Sequence, residues 1–225
     1  NKPLTFEPIS PDADAQALFD YLFISAFANN PQMLSFLGLF ESIGIHEHNA
    51  FLNEVTPAIV QQDLAQRKKD LELIKSFKVE QLTHEQKISY KIFQWSLEHQ
   101  VRGEQFAFHD YRIDQMNGIL AELTYLFTNF HRLETEVDVR NYIARLEKIK
   151  NQLDQAIELL EHQKVLGIQV PAFTVQKVIA SIKKMLVPAI KEHIFYDHLE
   201  KNIKNIASEQ KEHLLEQAYN VLEHH

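Results

Sequence analysis

Apolar side chains recur along this chain at steps of three, four and seven residues, the rhythm that gathers them on one side of an α-helix. The clearest stretch follows Thr135, where Val139, Tyr142, Leu146, Ile149, Leu153, Ala156 and Leu160 form a heptad-like seam. Thr135 is its expected N-cap, Glu136 and Arg140 an i,i+4 ion pair on its outer side, and Gly167 its stop. Thr83-His84-Glu85-Gln86 has the capping-box form, in which hydroxyl and amide satisfy two orphan N–H groups. The helix it starts carries Ile88, Ile92, Trp95, His99 and Phe106 on one face. Ser10-Pro11-Asp12 predicts a helix over 11–29, and Pro31 a second that ends between Gly38 and Gly44. A long helix is expected over 49–77, interrupted at Pro57, with Val60, Leu64, Leu71 and Ile74 on its buried side. Others are expected over 119–132, from Pro171 or Thr174 until Pro188 interrupts, and over 208–221. Over 109–118 the rhythm fails in a polar stretch that still holds Tyr111, Ile113 and Met116. No run alternates with period two and no internal repeat is present. The expected fold is all-α: a bundle of seven to nine helices, several long and near-antiparallel, with short irregular connections.

Composition narrows this further. The 225 residues contain 5 glycines, about a third of the usual share, which disfavours turn-rich β folds and Gly-loop nucleotide folds. No cysteine is present, so disulfides, thiolate metal sites and cysteine nucleophiles are excluded. With 23 basic and 31 acidic residues the net charge is -8, a poor match to a phosphate backbone. The basic runs Arg67-Lys68-Lys69 and Lys183-Lys184 read as solvated helix faces, so no nucleic-acid partner is expected.

The ends suggest a piece of something longer. Leu222-Glu223-His224-His225 reads as the remnant of a purification tag, and Asn1-Lys2-Pro3 opens as a truncated or processed chain does. The expected organisation is an extended lead-in over 1–10, a helical domain over 11–221 and a tag remnant over 222–225. Residues 21–40 carry no charge and have the nominal length of a membrane span. Their centre is Asn29-Asn30-Pro31-Gln32, which hydrocarbon would not tolerate, so two short helices are expected instead.

Searches for self-contained chemistry end negatively. His46-Glu47-His48 spaces its imidazoles two apart, and His84-Glu85 meets Ile88 where a second histidine should stand, so neither is a His-Glu-x-x-His zinc helix. Glu192, His193, Asp197 and His198 are dense enough to consider as ligands, but a polar helix end is the expected reading. His99, on an apolar stripe, is expected to be a hydrogen-bonded core histidine, and His162 and His213 surface positions. Glu122 and Glu134 cannot be paired from sequence. No nucleophile elbow or phosphate loop is present. The expectation is no catalytic residue and no metal ligand in this chain.

Two segments nevertheless carry a resemblance. Tyr111, Gln115 and Gly118 resemble an aromatic, amide and glycine motif of a bacterial family known as domain of unknown function 885. Tyr142-Ile143-Ala144-Arg145-Leu146, followed by Ile149, Leu153, Gln155 and Ile157 and then Gly167 and Pro171, is similar to that family's Tyr-Leu-x-Arg-Leu helix and its Gly-to-Pro stop. Asn30-Pro31 to Gly38 is similar to its opening segment, so the likeness touches most of 13–187. Members look like longer, gluzincin-type zinc peptidases whose ligand helices lie in the C-terminal half, and no position here matches those ligands.

The resemblance implies an N-terminal helical region that walls a substrate channel and is inactive alone, with zinc held elsewhere in the parent protein. Its implied partners are the missing C-terminal half and a peptide substrate, and the apolar surface so bared makes a homodimer of the fragment an expectation. Its implied source is bacterial; the compartment is left open, with an export signal removed before Asn1 as one option. Tyr111, Arg112 and Gln115 are the candidate substrate-binding residues, because a non-helical segment with these side chains can hydrogen-bond a peptide backbone. Gly118, Tyr142, Arg145, Gly167 and Pro171 are assigned structural roles. The same 109–118 stretch also reads as a buried connection, with Gly118 allowing a close turn and Gln115 satisfying backbone groups. The rival is a stand-alone helical module that binds a partner helix in a groove and does no chemistry.

Overall fold

Capping chemistry starts the helices where the threonines stand. Thr83 and Thr135 each accept a hydrogen bond from the N–H three residues on, and Gln86 and Asp138 bond back, closing two capping boxes. The structure, a computed structural model, describes residues 9–10, 14–27 and 29–224. Its helices are α1 (Ala15–Phe27), α2 (Pro31–Leu37), α3 (Pro57–Ser76), α4 (His84–Arg102), α5 (Ile119–Tyr125), α6 (Glu136–Leu146), α7 (Ile149–Val165), α8 (Ala172–Leu186), α9 (Ile194–Asn202) and α10 (Ser208–His224). Glu147 and Lys148 keep right-handed helical angles between α6 and α7. Read as one interrupted helix, that pair brings the described residues to nine helices with no strand, and the all-α class holds.

Several boundaries differ from expectation. The helix predicted over 49–77 begins only at Pro57, because Thr56 caps it and proline fits the first turn, where its missing N–H is not needed. Before it, Glu47–Ala50 is a single 3-10 turn and 51–56 is non-helical. The helix predicted over 119–132 is α-helical only to Tyr125 and then widens into a π-helix, Leu126–Phe130. The predicted start at Pro11, most of the 1–10 lead-in and His225 lie outside the described residues. Leu222 and Glu223 continue α10, with Leu222 packed on the core.

The chain divides into two compact units. The smaller takes residues up to Asn29 and Thr56–Asp110, and holds α1, α3 and α4 around Leu18, Leu22, Leu71, Ile74, Phe77, Leu82, Tyr90 and Leu97. Buried Asp70 on α3 accepts from Ser25 Oγ at 2.7 Å and Gln66 Nε2 at 2.9 Å. Burial pushes its carboxyl above the usual range against the pull of those two bonds.

In α4 the expected face is the wrong one. Ile88, Ile92, Trp95 and Phe106 are 50%, 61%, 64% and 59% exposed, whereas Tyr90, Phe93, Leu97 and Val101 meet the core. Both sets have helical spacing, so periodicity alone does not choose between them. His99 is accordingly an exposed ring stacked on Trp95 at 5.5 Å, not a core histidine.

The larger unit, Asn30–Val55 with Tyr111–His225, is built on α6. Val139, Tyr142 and Leu146 are buried with Leu123, Phe127, Leu199, Leu214 and Ala218. The Tyr142 hydroxyl donates to the Phe195 carbonyl at 3.0 Å, and Phe127 sits edge-on to the Tyr142 ring at 4.8 Å. Glu136 and Arg140 form the expected outer ion pair at 2.6 Å. Gly167, at φ 77°, closes α7 with two reversed bonds, Gly167 N–H to Lys164 and Ile168 N–H to Gln163, and Pro171 caps α8.

Candidate functional site

Among the described residues Arg145 is the largest fully buried side chain, and it organises the loops of the larger unit. Its guanidinium donates to the carbonyls of Phe51 at 2.8 Å and His48 at 3.1 Å, to Ser35 Oγ at 2.8 Å and to His131 Nδ1 at 3.0 Å. The Ser35 hydroxyl donates to Asn49 Oδ1, and the Asn49 amide N–H donates to Glu41 Oε1 at 2.9 Å. His48 Nε2 meets the same oxygen at 2.9 Å. Burial raises the Glu41 carboxyl, but the bonds from Asn49, its own backbone and His48 outweigh it and hold the group below the carboxylate range. Burial and the neighbouring Arg145 charge push His131 down to about 3. His131 is therefore neutral: Nδ1 accepts from Arg145 while Nε2–H donates to the Asp138 carbonyl at 2.9 Å. Glu41 Oε2 is buried without a hydrogen-bond partner, and the four guanidinium bonds hold 35–51 against α6.

The 109–118 segment is irregular, as the lost rhythm implies, and Asp114 shapes it. Its Oδ1 accepts from the N–H groups of Met116 at 2.7 Å and Asn117 at 2.9 Å, a side-chain-closed turn that keeps the carboxyl ionised below its ordinary pKa. The Ile119 N–H closes the loop onto the Arg112 carbonyl at 2.9 Å. A Cβ on Gly118 would stand 2.3 Å from the Asp114 carbonyl oxygen and 2.4 Å from its nitrogen, so only glycine fits.

Beside this loop lies a cavity of about 530 Å³. Asp114 and Gln115 form one wall, Leu120, Ala121, Thr124 and Tyr125 of α5 another, and Val178, Ser181, Lys184 and Met185 of α8 a third. Pro188, Glu192 and Ile194 complete it. Gln115 Oε1 is buried and has no hydrogen-bond partner, so it does not satisfy backbone groups as the buried-connection reading expected. The π-helix begins one residue beyond Tyr125: the His131 N–H reaches back five residues to Leu126 at 2.9 Å. Thr124 and Thr128 each donate to the carbonyl four residues back at 2.8 Å, which strains the α-helical ladder just there.

Of the three residues assigned to substrate, the structure brings only Gln115 to the cavity. Tyr111 is 37% exposed away from it, and Arg112 lies 3.6 Å from Glu122 across the loop. Tyr125 and the apolar wall escaped sequence reasoning, and Lys184 entered it only within a basic run read as solvated. Glu192 stood among the possible metal ligands, but it lines the cavity while His193 caps α9, Asp197 pairs with Lys201 and His198 meets Asn202. Among the described residues no three His, Asp or Glu side chains are placed to hold a metal ion.

These helices, with the Tyr142–Arg145 turn of α6 buried in the larger unit, define an all-α protein. The family model described as "Bacterial protein of unknown function (DUF885)" matches residues 31–225, and the chain belongs to that family. Among solved structures it is similar to the "putative lipoprotein from Colwellia psychrerythraea", with a TM-score of 0.84 and 18% identity. The alignment covers 96% of this chain and 39% of that one, so the chain spans well under half the length of its structural relative. No curated protein matches the sequence. Among the described residues no helix is long and apolar enough to cross a membrane.

Proposed function

We propose that this chain is the helical, substrate-facing part of a longer zinc-peptidase-like protein, walling a channel and contributing no catalytic group. The carrying observation is the cavity of the larger unit, which joins an apolar wall to a Gln115 amide with unused hydrogen-bonding capacity. The chain's 39% coverage of its structural relative supports chemistry housed outside these residues. That relative's name supports an exported protein. Phe173, Ile179, Leu186 and Val187 of the α8 region are exposed, as a surface covered by the rest of the parent would be, and the isolated chain is then expected to self-associate. The deciding experiment is zinc content and peptide hydrolysis of the full-length parent beside the same assays on this chain. Zinc-dependent cleavage by the parent alone is the expected result; a zinc-free, inert parent overturns it.

A second reading has its own support. The outward stripe Ile88, Ile92 and Trp95 on α4 suits a partner helix laid along it, as in a module without chemistry. A parent that ends near Val221 and captures a helical partner through this stripe establishes that alternative.

A further inference from the structure

We infer that the cavity beside Gln115 binds a peptide segment through one large apolar side chain and the peptide group next to it. The inference rests on the substrate-facing reading above and names its ligand.

The wall is apolar where it is broadest: Leu120 and Ala121 face Val178, Met185 and Ile194. At about 530 Å³ it has room for a large side chain together with its peptide unit, within the usual range of ligand sites. At its edge Gln115 offers an amide, one acceptor and two donors on the same short arm, which matches the C=O and N–H of a peptide group. Its Oε1 is one of five buried side-chain atoms without a hydrogen-bond partner among the described residues, and of those five it is the one that lines this cavity. Lys184 shares the lining with the carboxylates of Glu192 and Asp114, the latter engaged by the Met116 and Asn117 N–H groups, so nothing there selects an anionic ligand. Independently, the helix that supplies Thr124 and Tyr125 turns into a π-helix at Leu126, a distortion that is rare and concentrates at functional sites.

The test is a titration of the 225-residue chain, methyl-labelled for NMR, with acetyl-Ala-Phe-Ala-amide. Acetyl-Ala-Gly-Ala-amide and toluene serve as probes of the peptide group and the apolar group alone. Saturable shifts at Ala121, Val178 and Met185 are expected with the Phe peptide, with binding at least about tenfold weaker for the Gly peptide. Gln115→Leu is expected to weaken the Phe peptide by about five- to tenfold and leave toluene unchanged. Ser181→Trp, on an exposed position of the α8 wall, is expected to abolish both and serves if the loop variant misfolds. Absent shifts at the wall, equal binding of the two peptides, or a Gln115→Leu affinity equal to wild type would overturn the inference. A zinc-dependent parent with a cavity that ignores the peptide removes only this inference. A cavity that binds the peptide in a zinc-free, inert parent removes only the peptidase reading.

Discussion

Gly118 and Gly167 do different physical jobs, and alanine separates them. At Gly118 the backbone angles suit any residue, but a Cβ has Asp114 backbone atoms at 2.3 and 2.4 Å. Gly118→Ala is expected to cost about 2–4 kcal/mol, because main chain must move. At Gly167 nothing lies within 4 Å and only the φ of 77° resists, so Gly167→Ala should cost about 1 kcal/mol. Urea midpoints decide it, and equal losses would sink the steric account. Arg145 stood out only through its place in the Tyr-Ile-x-Arg-Leu string. Its role was illegible because Ser35, His48 and Phe51 lie about a hundred residues away, where no local spacing reports them.

The same cluster sets a pH dependence. His131 sits at about 3 in the fold against 6.5 for a free histidine, so the unfolded chain binds a proton that the native chain refuses. The stability this represents is fully present above pH 6.5 and is lost as pH falls from there toward 3. Glu41, held below its ordinary 4.5, adds a further loss at the acid end of that window. Stability should fall by on the order of 1 kcal/mol per pH unit below 6. His131→Gln, which can keep both bonds without titrating, should flatten the slope between pH 6 and 4. An unchanged slope in that variant would show that other groups control acid unfolding.

At the scale of elements, what sequence shows is where helices start and stop, and what it hides is which side they bury. Thr83, Thr135, Asn30 and Gly167 act through bonds to neighbours within a few residues, so their effects are written locally. The buried face of α4 depends on α3, packed against it from another part of the chain. Ile88, Ile92 and Trp95 made the more apolar-looking stripe, yet Tyr90 and Leu97 face inward, with the Tyr90 hydroxyl donating to the Ile74 carbonyl at 2.8 Å. Ile92→Gln should therefore change stability by no more than about 0.5 kcal/mol, while Leu97→Ala should cost about 2–4 kcal/mol. Thermal denaturation of the pair checks the assignment, and the reverse order would restore the face read from sequence. The cavity was hidden for a related reason. Gln115 was legible as an amide in an irregular loop, but its apolar neighbours Val178 and Met185 look like ordinary helix residues until α5 and α8 are seen to share a wall.

For the whole molecule, the division into two units has a mechanical consequence. One core gathers around Ile74, the other around Tyr142 and Leu199, and each is closed by segments from both sides of an insertion in the sequence. Helical periodicity runs through both units without a break in composition, so no boundary between them is written in the sequence. A protein can open locally in contiguous cooperative units, each with its own free energy. Ile74→Ala, at 0% exposure, should remove about 2–5 kcal/mol from the smaller unit, and Leu199→Ala, also at 0%, a similar amount from the larger. Native-state hydrogen exchange should then show each loss confined to amides of its own unit. The cavity lies wholly within the larger unit, so Ile74→Ala should leave the protection of α5 and α8 unchanged while Leu199→Ala lowers it. If Ile74→Ala lowers protection in α5 and α6 as much as in α3, the two cores fold as one cooperative block. A substrate wall carried by the larger unit alone would then have to draw on the smaller for its stability.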